Sequence, residues 1–74
     1  MTTADLARIL RENYLRPPSG KQTVEIHLFG IRYADALKMH SIAEVVERAG
    51  LPKSYVNEIS KGRALAPFVR VLES

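Results

Sequence analysis

Seventy-four residues carrying a formal net charge of +3 fit one domain, near the lower size at which an apolar core alone sustains a fold. With no cysteine, disulfides and thiolate metal sites are excluded, and no run approaches the roughly eighteen apolar residues of a membrane span. The opening MTTADLARIL has no charged stretch ahead of an apolar one, so neither a leader nor a membrane anchor is expected.

Thr3 is a candidate cap for a first helix over about 4–14, in which Leu6, Ile9 and Leu10 form an apolar edge and Arg8, Arg11 and Glu12 a wet one. Pro17 and Pro18 then break the helix, because neither can donate the backbone hydrogen bond that continues it. The stretch Ser19-Gly20-Lys21-Gln22-Thr23 falls short of a phosphate loop: the earlier glycine is absent and the threonine is one residue late. From Lys21 to Leu37 two periods compete. Val24, Ile26 and Leu28 alternate as in a strand, whereas Val24, Leu28, Ile31 and Ala34, with Phe29, Tyr33 and Leu37, also make a helical stripe. The apolar content runs on past Gly30 for longer than a typical strand, which favours a helix over 21–40. Gly30 then sits mid-helix at about 1 kcal/mol relative to alanine, a cost that is tolerable where another helix passes close. The alternative, a short strand near 23–29, leads to a winged-helix-like fold.

The stretch SIAEVVERAGLPKSYVNEISKGR, residues 41–63, has the most legible organisation. Ser41 can cap the N–H of Glu44, and the Glu44 carboxylate can reach back to the Ser41 N–H. Gly50 marks a left-handed stop nine residues later, and Pro52 presets the first turn of a second helix over 52–61. Ile42, Val45, Val46 and Ala49 line one face of the first helix, Val56 and Ile59 line the second, and Leu51 closes the angle between them. The outer face of the second helix carries Lys53, Ser54, Asn57 and Lys61, with Tyr55 and Glu58 at its margin. A DNA major groove admits one α-helix, asparagine can pair with adenine through two hydrogen bonds, and lysine can donate to guanine or to a phosphate.

These residues resemble the helix-turn-helix domains of the lambda-repressor and Cro type, found in small bacterial and phage regulators. The features in common are the polar cap Ser41, apolar Val45 and Val46, Ala49-Gly50-Leu51, the stretch from Lys53 to Val56, Ile59, and Gly62-Arg63. Two positions depart from the pattern: Val46 stands where a small alanine is usual, and Pro52 replaces a serine or threonine cap. The resemblance implies a recognition helix over 52–61, with Lys53, Ser54, Tyr55, Asn57 and Glu58 facing bases or phosphates. Lys61 and Arg63 join this candidate DNA-binding set as phosphate contacts. It also implies a cytoplasmic, non-catalytic regulator of transcription whose partner is double-stranded DNA. Two copies about a two-fold axis would read half-sites about one helical turn apart, so a homodimer is compatible with the same reading.

Basic charge gathers where such binding needs it: residues 51–70 sum to +3 and residues 1–21 to +2, while 22–40 are neutral and 41–50 sum to −1. Helical hairpins with polar outer faces also occur in proteins that touch no nucleic acid. The competing reading is therefore a non-catalytic protein-interaction adaptor of helix-turn-helix shape that docks a partner through Phe68, Val69 and Leu72. Leu65, Phe68, Val69 and Leu72 have helical spacing, with Pro67 in a first turn, and predict a last helix over 64–74 whose apolar edge either closes the core, the favoured reading in so short a chain, or forms a dimer seam. His27 and His40 lie thirteen residues apart with no carboxylate spaced for a metal site, and no serine sits in a nucleophile elbow. No cofactor, metal or small-molecule ligand is expected. The fold class that follows is all-α, a small bundle of about five helices occupying residues 1–74 as a single helix-turn-helix domain.

Overall fold

The computed structural model describes residues 1–16 and 20–72 and contains, among them, five helices and no strand. Helix α1 (Thr3–Leu15) is capped by Thr2 rather than by Thr3. The Thr2 hydroxyl accepts the Asp5 N–H at 3.0 Å and the Asp5 carboxylate accepts the Thr2 N–H at 2.9 Å, so each satisfies a donor that the helix leaves open. Only Thr2 has an acceptor three residues on; three residues after Thr3 stands Leu6. Pro17, Pro18 and Ser19, and with them most of the proline-broken loop and the start of the rejected phosphate-loop stretch, lie outside the described residues.

Between positions 21 and 37 the helical reading holds, and the winged-helix alternative is corrected. Helix α2 (Gln22–Arg32) buries Ile26, Phe29 and Gly30, one stripe at helical spacing, and leaves Val24 exposed. A strand would have put Val24 and Ile26 on the same face. The expected single helix is interrupted at Tyr33 (φ −108°, ψ 22°), where the ring tilts against Phe29 at 5.1 Å, and one further turn, α3 (Ala34–Leu37), buries Leu37.

Helix α4 (Ile42–Ala49) starts at Ser41, whose hydroxyl accepts the Glu44 N–H at 3.2 Å. The reverse contact is replaced: the Glu44 carboxylate pairs with Arg48, one turn on, at 3.0 Å. At the other end Gly50 has φ 75°, with the Gly50 N–H donating to Glu47 O at 3.0 Å and the Leu51 N–H to Val46 O at 3.2 Å. That pair of bonds closes the helix in the left-handed geometry expected of a terminal glycine. Arg11 of α1 adds a third closure, donating to Ala49 O at 2.8 Å.

Helix α5 (Tyr55–Leu65) begins three residues later than the expected 52–61. Pro52, Lys53 and Ser54 form a preceding turn instead, in which the N–H groups of Tyr55 and Val56 donate to the carbonyls three residues back, at 3.1 and 3.0 Å. The helix then runs past Gly62 to Leu65, which displaces the predicted C-terminal helix. Pro67 falls just after the end of α5, where it stops a helix rather than starting one. Residues 66–68 turn, 69–72 have no regular structure, and Glu73 and Ser74 lie outside the described residues. Phe68 and Leu72 are 82% and 83% exposed, so the tail does not close the core as expected.

The core itself is made by Leu6 and Leu10 of α1, Ile26 and Phe29 of α2, Leu37 of α3, Val45 and Val46 of α4, and Ile59 of α5. At its centre α5 crosses α2 backbone to backbone. A Cβ placed on Gly30 would lie 2.5 Å from Ile59 O, and one on Gly62 would strike His27 O. Gly30 is therefore the close-approach glycine that a mid-helix position required.

Candidate nucleic-acid interface

Because α5 is held from behind by Ile59 and Gly62, both buried, its far side is determined by rotation of about 100° per residue. Asn57 and Lys61 fall there and are exposed, with Lys53 and Ser54 exposed on the turn that leads in. The four side chains thus form one strip from the inter-helix turn to just past the middle of α5. Lys53 has no ion pair among the described residues, whereas Lys61 lies 3.3 Å from the Glu58 carboxylate.

Three other candidates behave differently. Tyr55 is half-buried, its ring edge-on to Tyr14 of α1 at 5.5 Å, and the side-chain hydrogen bond with Tyr14, followed by partial burial, holds its phenol above the ordinary value. Glu58 turns toward α2. Its carboxylate is bound by the His27 imidazole and by Lys61, and these bonds, His27 first, hold it below the usual carboxylate range. Arg63 lies about 120° around the helix from Asn57 and lines a separate cleft with Arg32, Asp35 and Lys38. The ends of α2, α3 and α5 converge on that cleft, and cations there offset the negative ends of three helices. The strip therefore contains Lys53, Ser54, Asn57 and Lys61, with Tyr55, Glu58 and Arg63 directed elsewhere.

The three N-terminal arginines are already engaged: Arg8 with Glu12 at 3.4 Å, Arg11 with Ala49 O, and Arg16 with Glu25 at 3.7 Å. His40 sits in the turn before α4, as expected, and ties it to the chain start through Thr3 Oγ1 at 2.9 Å and Met1 O at 3.1 Å. His27 was expected only to be partly exposed; its link to Glu58, thirty-one residues on, joins α2 to α5. One signal pointed to it. His27 lies one turn before Gly30, on the helix face where a second helix had to pass close.

The molecule is thus a bundle that has, among the described residues, five helices, a tight glycine turn between α4 and α5, and a polar strip facing away from the core. A family model described as an HTH-like domain matches residues 2–71. The chain belongs to this family of HTH-like domains. The match takes in α1 through α5, so the HTH-like domain extends on both sides of the 41–63 stretch that carried the sequence resemblance. Neither a curated protein nor a solved structure matches the chain. Among the described residues no helix of this HTH-like domain is long and apolar enough to cross a membrane.

Proposed function

We propose that this HTH-like domain binds double-stranded DNA as a non-catalytic transcriptional regulator in the cytoplasm, docking in the manner of lambda-repressor and Cro-type proteins. The observation that carries the reading is the exposed strip Lys53, Ser54, Asn57 and Lys61, which stands opposite the buried anchors Ile59 and Gly62. A helix gripped along one side and polar along the other can enter a major groove without unfolding anything. In this reading Asn57 pairs with a base edge, adenine being the partner that matches its donor and acceptor, and Ser54 reads beside it. Lys53 holds a phosphate. Lys61 does the same after exchanging its contact with Glu58, which weakens its share of the binding. Tyr55 and Glu58 serve by positioning the helix, and Arg63 contributes to the field of the molecule rather than to the groove contact.

The test is an anisotropy titration with a random-sequence duplex at low salt, followed by selection from a random pool. Binding that weakens steeply with salt, together with an enriched sequence, supports the reading. Absence of binding at micromolar protein overturns it. The exposure of Phe68 and Leu72 favours a second reading, the protein-interaction adaptor, and that same negative titration would favour it.

A further inference from the structure

His27 of α2 and Lys61 of α5 hold the same carboxylate. The His27 imidazole meets Glu58 Oε2, and Lys61 Nζ donates to Glu58 Oε1 at 3.3 Å, so each oxygen of Glu58 has a partner of its own. Neither His27 nor Lys61 has another hydrogen-bond or ion-pair partner among the described residues. Their surroundings differ. Lys61 is exposed on the strip, whereas the His27 side chain is 37% exposed, open enough to exchange a proton with water while remaining bound to Glu58.

We infer that protonation of His27 controls how much of the Lys61 charge α5 offers to DNA. With a neutral imidazole, Glu58 and Lys61 cancel, and the lysine is held by the carboxylate. With an imidazolium, the three side chains together carry one positive charge, His27 compensates Glu58, and Lys61 is released to a phosphate. Histidine is the side chain whose ordinary titration falls between pH 5 and 8, so the device works near neutrality. Glu58 stays charged throughout that range, since the His27 bond, followed by that of Lys61, holds its carboxyl below the usual value. By linkage, a polyanion seated on the strip favours the protonated form in turn, and binding takes up protons.

The other charged groups on the elements packed against α2 are directed elsewhere. On α1, Arg16 pairs with Glu25, about 200° around α2 from His27, Arg8 pairs with Glu12, and Arg11 donates to α4. On α3, Asp35 pairs with Lys38 at 3.3 Å, and Arg63 of α5 lines the cleft at the far end of α2 together with Arg32. His27 is therefore a positioning residue: it acts on DNA through Glu58 and Lys61. This inference rests on the DNA-binding reading and names a regulator of the same strip.

Anisotropy titrations of the full chain with duplex DNA at pH 8 and pH 6, each at several salt concentrations, test it. Wild-type affinity should rise on the order of fivefold at pH 6, and the slope of log K against log salt should steepen by up to about one. His27→Gln, which keeps a neutral hydrogen-bonding group, should stay at the wild-type pH 8 affinity at both values. His27→Arg, charged at both, and Glu58→Gln, which frees Lys61 without a proton, should each bind at pH 8 as wild type does at pH 6. His40→Gln, in the turn before α4, should keep the full response. Circular dichroism at both pH values checks that each variant is helical, and should His27→Gln not fold, His27→Arg and Glu58→Gln carry the test. Wild-type binding that is equal at pH 8 and pH 6 overturns the inference. So does a response that persists in His27→Gln, which would have another source, or in Glu58→Gln, which would mean that His27 acts without releasing Lys61. Each of these outcomes leaves DNA binding in place. Absence of binding at both pH values removes the DNA reading and this inference with it, so the two failures are told apart.

Discussion

Asn57 and Lys61 are neighbours on one helix face, yet they are expected to fail differently when truncated. Asn57→Ala removes a base-reading group and should cost on the order of 1–3 kcal/mol on the preferred duplex while leaving random duplex nearly unaffected. Lys61→Ala should weaken every duplex alike and lower the slope of log K against log salt by about one or less, because Glu58 already screens part of that charge. Competition titrations at several salt concentrations separate the two patterns. Glu58 gives a pH prediction. Its carboxylate is held below the usual range by His27 and Lys61, so the folded state binds a proton there less readily than the unfolded chain. Stability from this group is present above the ordinary glutamate value of about 4.3 and is lost as pH falls through the lower folded value. Glu58→Gln, which cannot titrate, should therefore flatten the acid side of a urea-midpoint profile below about pH 5. An unchanged profile would show that the His27–Glu58 link contributes nothing to folding.

Among the elements, the α2–α5 crossing is the least tolerant. Gly30→Ala drives a methyl group against the Ile59 carbonyl, which as helix backbone cannot swing aside, and should cost about 1–3 kcal/mol or more by chemical denaturation, although alanine is the better helix former. Gly50→Ala is expected to cost about 1–2 kcal/mol for a different reason, the left-handed backbone at φ 75°. Thr2→Ala should remove about 1 kcal/mol by opening the first turn of α1, whereas Thr3→Ala should not touch the cap. How much of this was legible depended on range. Ser41, Gly50 and the apolar stripes of α4 follow from contacts within one or two turns, and the helix over 22–32 follows from its period. The start of α5 was misplaced because proline suits both a helix's first turn and a turn before it, and the choice rests on backbone bonds that no spacing records. The last helix was misplaced because Leu65 belongs to α5 as well as to the tail's apolar set. Within the candidate site, the exposed strip could be read from helical rotation, while the inward ties of Tyr55 and Glu58 involve Tyr14 and His27, more than thirty residues away in the chain.

At the scale of the molecule, a small chain makes folding and association hard to separate. Among the described residues eleven buried apolar side chains make a modest core, and binding to the native state raises its apparent stability by mass action. Charge at this scale is unevenly placed, with cations at the ends of α2, α3 and α5 offsetting helix dipoles, so net +3 overstates what is offered to a polyanion. The strip on α5, rather than the total, is the quantity to vary.

The glycine-to-glycine contact has one more effect. Because α5 is seated by its main chain and by Ile59, its orientation owes little to the side chains that point outward. Positions 53, 54, 57 and 61 can then be rewritten together, as letters on a fixed printing block, and a randomised library at those four sites should stay folded while its target preferences diverge.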